Sequence, residues 1–411
     1  MEKKIIQFSP PDITQAEINE VVDTLKSGWI TTGPKTKKFE EEISQYCHSD
    51  KTVCFNSATA AMELALKLFD IGPGDEVITS VYTYTASASV ALHCGAKVVL
   101  VDTKKGSFNI DPAAVEKAIT AKTKVIIPVD IAGYPADYDE IFEIAERKKS
   151  LFRPKKGTYQ EKLGRIMILA DAAHSFGSIY KGKKVGSVAD FTSFSFHAIK
   201  NLTTAEGGAL TWCHKDWMDS EEAYRQLMLL ALHGQNKDAL AKMKAGAWKY
   251  DIVMPGYKCN MTDIMAAIGL AQLKRYDNEI LIKKKELVSW YEKGLKNLED
   301  KLELPVFQEG NTESCRHLYM IRLKNAGEQK RNQVIEKLAE AGIATNVHFQ
   351  PLPLFTAYKE LGFEMKNYPN AYDMYQNEIS LPLHDLLVKK DIDYICTLLK
   401  NNIESINFKR C

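Results

Sequence analysis

Several familiar announcements of function are missing from this chain. It has no G-x-x-x-x-G-K-[ST] run, so a nucleotide P-loop is excluded. It has no G-x-G-x-x-G after an early strand, so a nicotinamide-dependent oxidoreductase lacks its fingerprint. It carries no excess of either charge: 54 basic and 53 acidic residues leave a formal net charge of +1, and no global basic field argues for nucleic acid. Repeats, low-complexity tracts and long apolar runs are absent as well. The opening Met1-Glu2-Lys3-Lys4 leads into a few apolar residues and then Pro10-Pro11, so neither a signal peptide nor a membrane span is expected. The eight cysteines (Cys47, Cys54, Cys94, Cys213, Cys259, Cys315, Cys396, Cys411) contain no C-x-x-C pair and no regular framework. That fits reduced thiols in a cytoplasm and gives no hint of structural zinc or any other metal.

What is there is enough apolar residue, 45% of 411, for one large domain and a smaller one. Thr14 and Glu17 form a capping box before a helix, and Ile18, Val21, Val22 and Leu25 give it one apolar face; Gly28 stops it. Short apolar runs follow at Val53 to Phe55, Val77-Ile78, Val98 to Val101, Val125 to Ile127, Ile166 to Ala170, Thr192 to Ser195 and Ala209 to Trp212. Helical stretches such as Ala60 to Phe69 and Pro112 to Ile119 separate several of them. This alternation implies an α/β fold with a mostly parallel central sheet and helices on its faces. Lys148 to Gly164 interrupts the rhythm. It is basic, carries Pro154 and Gly157, and reads as a surface excursion. From about residue 275 the chain turns helical and charged. It then offers a strand at His317 to Leu323, a helix near Asn332 to Ala341 and a terminal helix near Lys390 to Lys400. The expected division is a large domain over 1–275 and a small α+β domain over 276–411.

Lys200 and Asp171 are the residues on which a chemistry can be built. Lys200 sits in Ser195-Phe196-His197-Ala198-Ile199-Lys200-Asn201, between an apolar strand and the Glu206-Gly207-Gly208 turn into another. Asp171 ends the apolar run from Ile166, where the carboxyl end of a parallel strand faces a ligand crevice. Pyridoxal 5′-phosphate (PLP) needs such a pair: a lysine for the Schiff base, and an acid that keeps the pyridinium nitrogen protonated. A Schiff-base lysine must be neutral to attack, although a free lysine titrates near pH ~10.4; burial beside a cationic ring lowers it. Each residue also has a plainer reading. Lys200 can be a loop lysine, Asp171 a helix N-cap, and His174 a core histidine rather than a partner of the cofactor's phenolic oxygen. Ser57-Ala58-Thr59 can be an ordinary N-cap or an anion site at a helix start. Tyr84, in Tyr82 to Ser87, can be a half-buried loop aromatic or a ring stacked on a flat cofactor.

Taken together and in order, these segments resemble the sugar aminotransferases of the DegT/DnrJ/EryC1/StrS family. The match also includes Ser27 to Lys35, Asp171-Ala172-Ala173-His174, Pro255 to Asp263 and Ser380 to His384, so it covers nearly the whole chain. The resemblance implies a fold-type I, aspartate-aminotransferase-like architecture. It implies Lys200 as the Schiff-base lysine, Asp171 as the pyridinium partner, His174 beside the ring oxygen and Tyr84 stacked on the ring. Ser57, Ala58 and Thr59 would hold the phosphate, with Ser195 nearby. Asn260 matches a residue that relatives lend across a homodimer interface to the partner's phosphate. Trp29, Thr31, Thr32, His197, His233 and His348 are candidate substrate contacts by the same resemblance. The implied reaction is transfer of an amino group from glutamate, released as 2-oxoglutarate, to a nucleotide-linked keto-sugar. PLP alternates with pyridoxamine 5′-phosphate (PMP) as it proceeds. Asn260 and the Trp29 to Thr32 loop look most like transaminases of UDP-linked 4-keto pentoses and 4-keto-6-deoxy sugars. A dehydratase of the same family carries histidine in place of Lys200, and a non-catalytic sensor would be expected to lack Lys200 or Asp171.

Overall fold

The computed structural model describes residues 5–236 and 248–405; Met1 to Lys4 and Cys411 lie outside them. Seven strands form the central sheet: β1 (Lys51–Phe55), β2 (Glu76–Ser80), β3 (Lys97–Val101), β4 (Thr123–Ile127), β5 (Met167–Asp171), β6 (Phe191–Ser195) and β7 (Gly208–Trp212). Their spatial order is β1-β7-β6-β5-β4-β2-β3. β3, β2, β4, β5 and β6 pair in parallel, and β7 alone runs against both its neighbours. The loop 196–207 returns from β6 to β7 without a crossover helix, so the two strands lie antiparallel. The mostly parallel α/β sheet expected from the sequence is therefore present.

Buried strands explain why the apolar runs were so uniform. β2, β4, β5 and β7 are buried at every position, as a parallel sheet covered on both faces requires. One core cluster takes Val53, Leu169, Phe191, Leu210 and Trp212 with the helix α3 (Ala58–Leu68), and another takes Cys54, Ile126, Ile168 and Phe194 from the other face with the helix α2 (Pro34–Cys47).

Helix α1 (Gln15–Lys26) begins at the expected capping box, with the Glu17 carboxylate accepting the Thr14 amide at 2.7 Å. Its apolar face behaves differently from the expectation. Ile18, Val22 and Leu25 stay exposed at 47%, 39% and 54%, while Glu17 and Thr24 are buried. The buried side is polar because Glu17 meets Arg275 and Gln272 of a later helix. Lys148 to Gly164 also departs from a pure surface excursion. It contains a short helix (Tyr159–Leu163) whose Gln160 donates to the Phe69 carbonyl at 2.7 Å and is buried.

The C-terminal segment has its own core, in which Leu287, Tyr291, Tyr319, Ile321, Val334, Ile379 and Leu399 take part. A three-stranded sheet of Leu302–Glu303, Tyr319–Leu323 and Glu378–Leu381 packs with helices Leu281–Leu295, Gly327–Glu340 and Lys389–Ser405. Ile6 from the start of the chain joins this core and bridges Ile343. Among the described residues no helix is long and apolar enough to cross a membrane, no cysteine is in a disulfide, and no cluster suited to a metal ion is found.

Candidate active site

Asp171 is the last residue of β5, between β4 and β6, and only 4% of it is exposed. Ser87, in the first turns of helix α4 (Ala86–His93), donates its hydroxyl to Asp171 Oδ2 at 2.6 Å, and the Ala173 amide donates to Oδ1 at 3.2 Å. Burial pushes the Asp171 carboxyl up; the Ser87 and Ala173 donors and the nearby Lys200 charge oppose that rise. No helix starts at Asp171, so the N-cap alternative does not apply.

Lys200 stands on the loop that leaves β6. Two backbone bonds close the neck of that loop, Phe196 to the Gly207 carbonyl at 2.8 Å and Thr204 to the Phe196 carbonyl at 2.9 Å. The turn itself is held by the Lys200 amide on the His197 carbonyl at 2.8 Å. Burial lowers the Lys200 ammonium to about 8, with the Asp171 charge pulling the other way. Burial thus moves both members of the pair toward their neutral forms.

His174 follows three residues after Asp171 and is nearly buried. The Ala132 amide donates to its Nδ1 at 3.3 Å. An acceptor Nδ1 leaves the proton on Nε2, and burial holds the ring neutral by lowering its pKa well below the ordinary histidine value. His317 lies tilted against it with ring centroids 4.5 Å apart, and Phe349 stacks on it at 5.6 Å.

Helix α3 starts at the end of β1, and Ser57 caps it by accepting the Ala60 amide at 3.1 Å. The earlier amides of such a helix, those of Ala58 and Thr59 here, have no partner within it. Gly208 lies against this turn. A Cβ there would come 2.3 Å from the Ala58 nitrogen, so the close approach requires glycine. Ser195 pairs with Gly208 across the sheet and accepts the His197 amide at 3.4 Å.

The remaining expected residues fall into separate groups. Tyr84 is 63% exposed, and its ring lies 6.1 Å from Phe349, next to the ring that covers His174. Asn260 bridges Phe55 beside the Ser57 turn, and its side chain bonds Thr32 and Lys258. Trp29 closes the same loop by donating to the Thr32 carbonyl at 3.2 Å, and the Thr31 carbonyl accepts from Asp263 at 3.2 Å. His348 is buried and feels the Lys200 charge. His197 is half-exposed, 3.5 Å from Glu206. His233 adopts a left-handed conformation in a loop tied to Tyr257 at 2.7 Å. Asp171, His174, Lys200 and His348 thus make one electrostatically connected group, and Asn260, Thr32 and Trp29 make another.

The model of the DegT/DnrJ/EryC1/StrS aminotransferase family matches residues 11–400. The chain belongs to that family. A putative sugar aminotransferase of Streptococcus pneumoniae, solved in its PMP form, superposes with a TM-score of 0.94 at 54% identity, over 97% of this chain and 99% of that one. A Bacillus subtilis spore coat polysaccharide biosynthesis protein is 36% identical over 97% of both chains. Helicobacter pylori PseC, described as an aminotransferase involved in pseudoaminic acid biosynthesis, superposes with a TM-score of 0.84 at 28% identity, over 98% of this chain and 100% of that one.

Three residues beside the candidate site were assigned no role from the sequence: Ser87, His317 and Glu378, whose carboxylate accepts the His348 amide at 2.9 Å. Ser87 lay inside a segment chosen for its aromatic, and its i,i+4 spacing from Thr83, now seen at 2.7 Å, was the available signal. His317 comes from a strand-like run that read only as small-domain structure. Glu378 carries no local motif at all.

Proposed function

We propose that the chain is a PLP-dependent aminotransferase that moves an amino group from an amino acid, L-glutamate, to a nucleotide-linked keto-sugar. The sugar is a UDP-linked 4-keto-6-deoxy hexose or 4-keto pentose, and the product serves surface polysaccharide, glycan or antibiotic synthesis. The observation that carries the reading is the buried Asp171 beside a lysine lowered to about 8, at the carboxyl edge of a family-type sheet. The named relatives in sugar metabolism support the substrate class.

These residues fit PLP. Asp171 has hydrogen-bond donors on both oxygens yet is pushed up by burial, so a cationic ring nitrogen would suit it. The Ser57, Ala58 and Thr59 turn would take the phosphate, and Tyr84 the ring face. His174 Nε2–H has no hydrogen-bond partner among the described residues and would donate to the phenolic oxygen. When bound, the ring accepts the electron pair released as a C–H bond beside nitrogen breaks. Lys200 would hold the aldehyde end at rest. Displaced by an incoming amine, it would take the proton from the substrate's α-carbon and return it one position away. Asp171 would hold its negative charge throughout both halves of the reaction.

The second copy of the chain completes the site in this reading. Exposed Ile18, Val22 and Leu25 on α1, with Ile30 beyond them, give an apolar face suited to a homodimer. The test of function is a panel of nucleotide keto-sugars incubated with PLP-loaded protein and glutamate, read by mass. An amino-sugar product, with 2-oxoglutarate in equal amount, is expected. No product from any keto-sugar, with turnover on another amino acceptor, overturns the substrate class.

A further inference from the structure

His348 is tied to a buried carboxylate through one hydroxyl. Glu378 is fully buried on the edge of the three-stranded sheet. Its Oε2 accepts the His348 amide at 2.9 Å, and its Oε1 accepts Ser380 Oγ at 2.6 Å. Ser380 Oγ lies 2.9 Å from His348 Nδ1. A hydroxyl has a single proton. If Ser380 spends it on an ionised Glu378, its oxygen must accept from His348, and His348 must carry its proton on Nδ1. Nε2 is then a bare acceptor, and it has no hydrogen-bond partner among the described residues. The ring stacks on Phe8 at 5.4 Å and meets Phe349, the ring that covers His174, at 5.1 Å.

We infer that Glu378, acting through Ser380, sets the tautomer of His348 so that Nε2 accepts a hydrogen bond from a substrate hydroxyl or ammonium. Glu378 and Ser380 are then positioning residues, and His348 is the contact. The two histidines beside Lys200 would present opposite faces: His174 donates from Nε2, and His348 accepts there. The assignment of His348 to substrate rests on the aminotransferase reading above; the tautomer does not.

The charged and titratable groups around the pair are few. Lys200 acts on His348 from the β6 loop, and His174 and His317 are coupled to it from their own elements. Arg331 acts on Glu378 from its helix, and Tyr82 donates to the His348 carbonyl. His348 is held neutral, at about 4, by burial. Burial raises Glu378 to about 8. Above that value the carboxylate orders the chain as described. Below it the protonated carboxyl donates to Ser380, Ser380 donates to Nδ1, and the proton moves to Nε2.

Glu378→Gln makes the reversed state permanent. The Gln carbonyl must stay on the His348 amide, so its NH2 faces Ser380 and donates to it. Neutron diffraction of deuterium-exchanged holoenzyme crystals at pH ~9 reads the result. Deuterium on Nδ1 of His348 in the wild type and on Nε2 in the variant is expected. The same nitrogen in both, or deuterium on both nitrogens, overturns the relay. If the variant fails to fold, wild-type crystals held well below and well above the Glu378 value of about 8 must show the same exchange of position, and an unchanged position overturns the relay. In solution at pH ~9, where Glu378 of the wild type is ionised, the variant should keep its cofactor absorption and raise KM for one substrate about tenfold. Unchanged KM for both substrates overturns the role of Nε2 as a contact. Failure of the cofactor band itself would count against the aminotransferase reading and not against the tautomer.

Discussion

The Ser87 hydroxyl points at Asp171 from 2.6 Å, and Thr83 stands 2.7 Å behind Ser87. Because Ser87 donates forward to the carboxylate, Thr83 must donate to Ser87. The Ser87 donor opposes the burial that pushes Asp171 toward its neutral form. Ser87→Ala should therefore lower kcat about tenfold, the size expected when a buried carboxylate loses one hydrogen bond. Ser87→Thr, which keeps the hydroxyl, should recover most of it. Equal losses in both variants would indicate a packing role instead.

Asp171→Ala should lose far more turnover than substrate affinity. Removing one partner of a buried ion pair costs on the order of 3–5 kcal/mol. Placed in the barrier, that lowers turnover by roughly 10²–10³ or more. Stopped-flow turnover near the wild-type rate, with cofactor bound, would remove Asp171 from the proposed role.

Lys200→Ala should abolish the visible absorption of the loaded protein, and borohydride reduction of the wild type should fix the cofactor's mass on the Lys200 peptide. A tag on another lysine would sink the assignment. The pH dependence has a definite sign. The lysine attacks when neutral, so the rate at which apo-protein takes up PLP should rise with pH and level off above about 8. Its folded pKa lies below the unfolded 10.5, so the unfolded chain binds more protons between those values. The Lys200 contribution to apo-protein stability should accordingly increase from about pH 8 to 10.5.

Gly208→Ala should weaken PLP binding. Its Cβ would stand 2.3 Å from both the Ala58 nitrogen and the Ser57 carbonyl carbon, so the turn proposed for the phosphate has to move. Displacement of a positioned anion site on this scale should raise the Kd for PLP about 10–100-fold. Absorbance titration of apo-protein measures it. An unchanged Kd, with the fold intact, would place the phosphate elsewhere.

How much of this was readable from residues alone depended on whether the signal was local. The β5 run ending in Asp171 and the loop carrying Lys200 were legible, because uninterrupted apolar strands and a Gly-Gly return are short-range patterns. The capping box at Thr14 was legible for the same reason. The exposed side of α1 was not. Ile18, Val22 and Leu25 have the spacing of a core face, and periodicity cannot say that Glu17 will turn inward to meet Arg275, which lies far along the chain. His348, Ser380 and Glu378 meet through strand pairing between Asn346 and Ser380, a contact with no trace in either segment. Gln160 likewise looked like loop until its amide was found on the Phe69 carbonyl.

The last prediction concerns Asn260. Its side chain joins the Trp29 to Thr32 loop of its own chain, while its backbone lies beside Phe55 and the Ser57 turn. The helix that follows, Asp263–Lys274, buries Ala267 and Ala271 but leaves Ile264 and Ile268 partly exposed. A face of this kind can continue into a second copy. In the shared-site reading, each cofactor is held by Lys200 of one protomer and approached by Asn260 of the other. Lys200→Ala chains and Asn260→Glu chains should each be inactive alone. Mixed, they should form heterodimers in which one site has both residues intact and the other has neither. Random mixing then restores up to about a quarter of wild-type activity. If Asn260 instead serves its own chain's site, every site in every heterodimer carries one lesion and activity stays at zero. Native mass spectrometry shows whether heterodimers have formed, so a dead mixture in which they are present, or an active monomer, rules out the shared site.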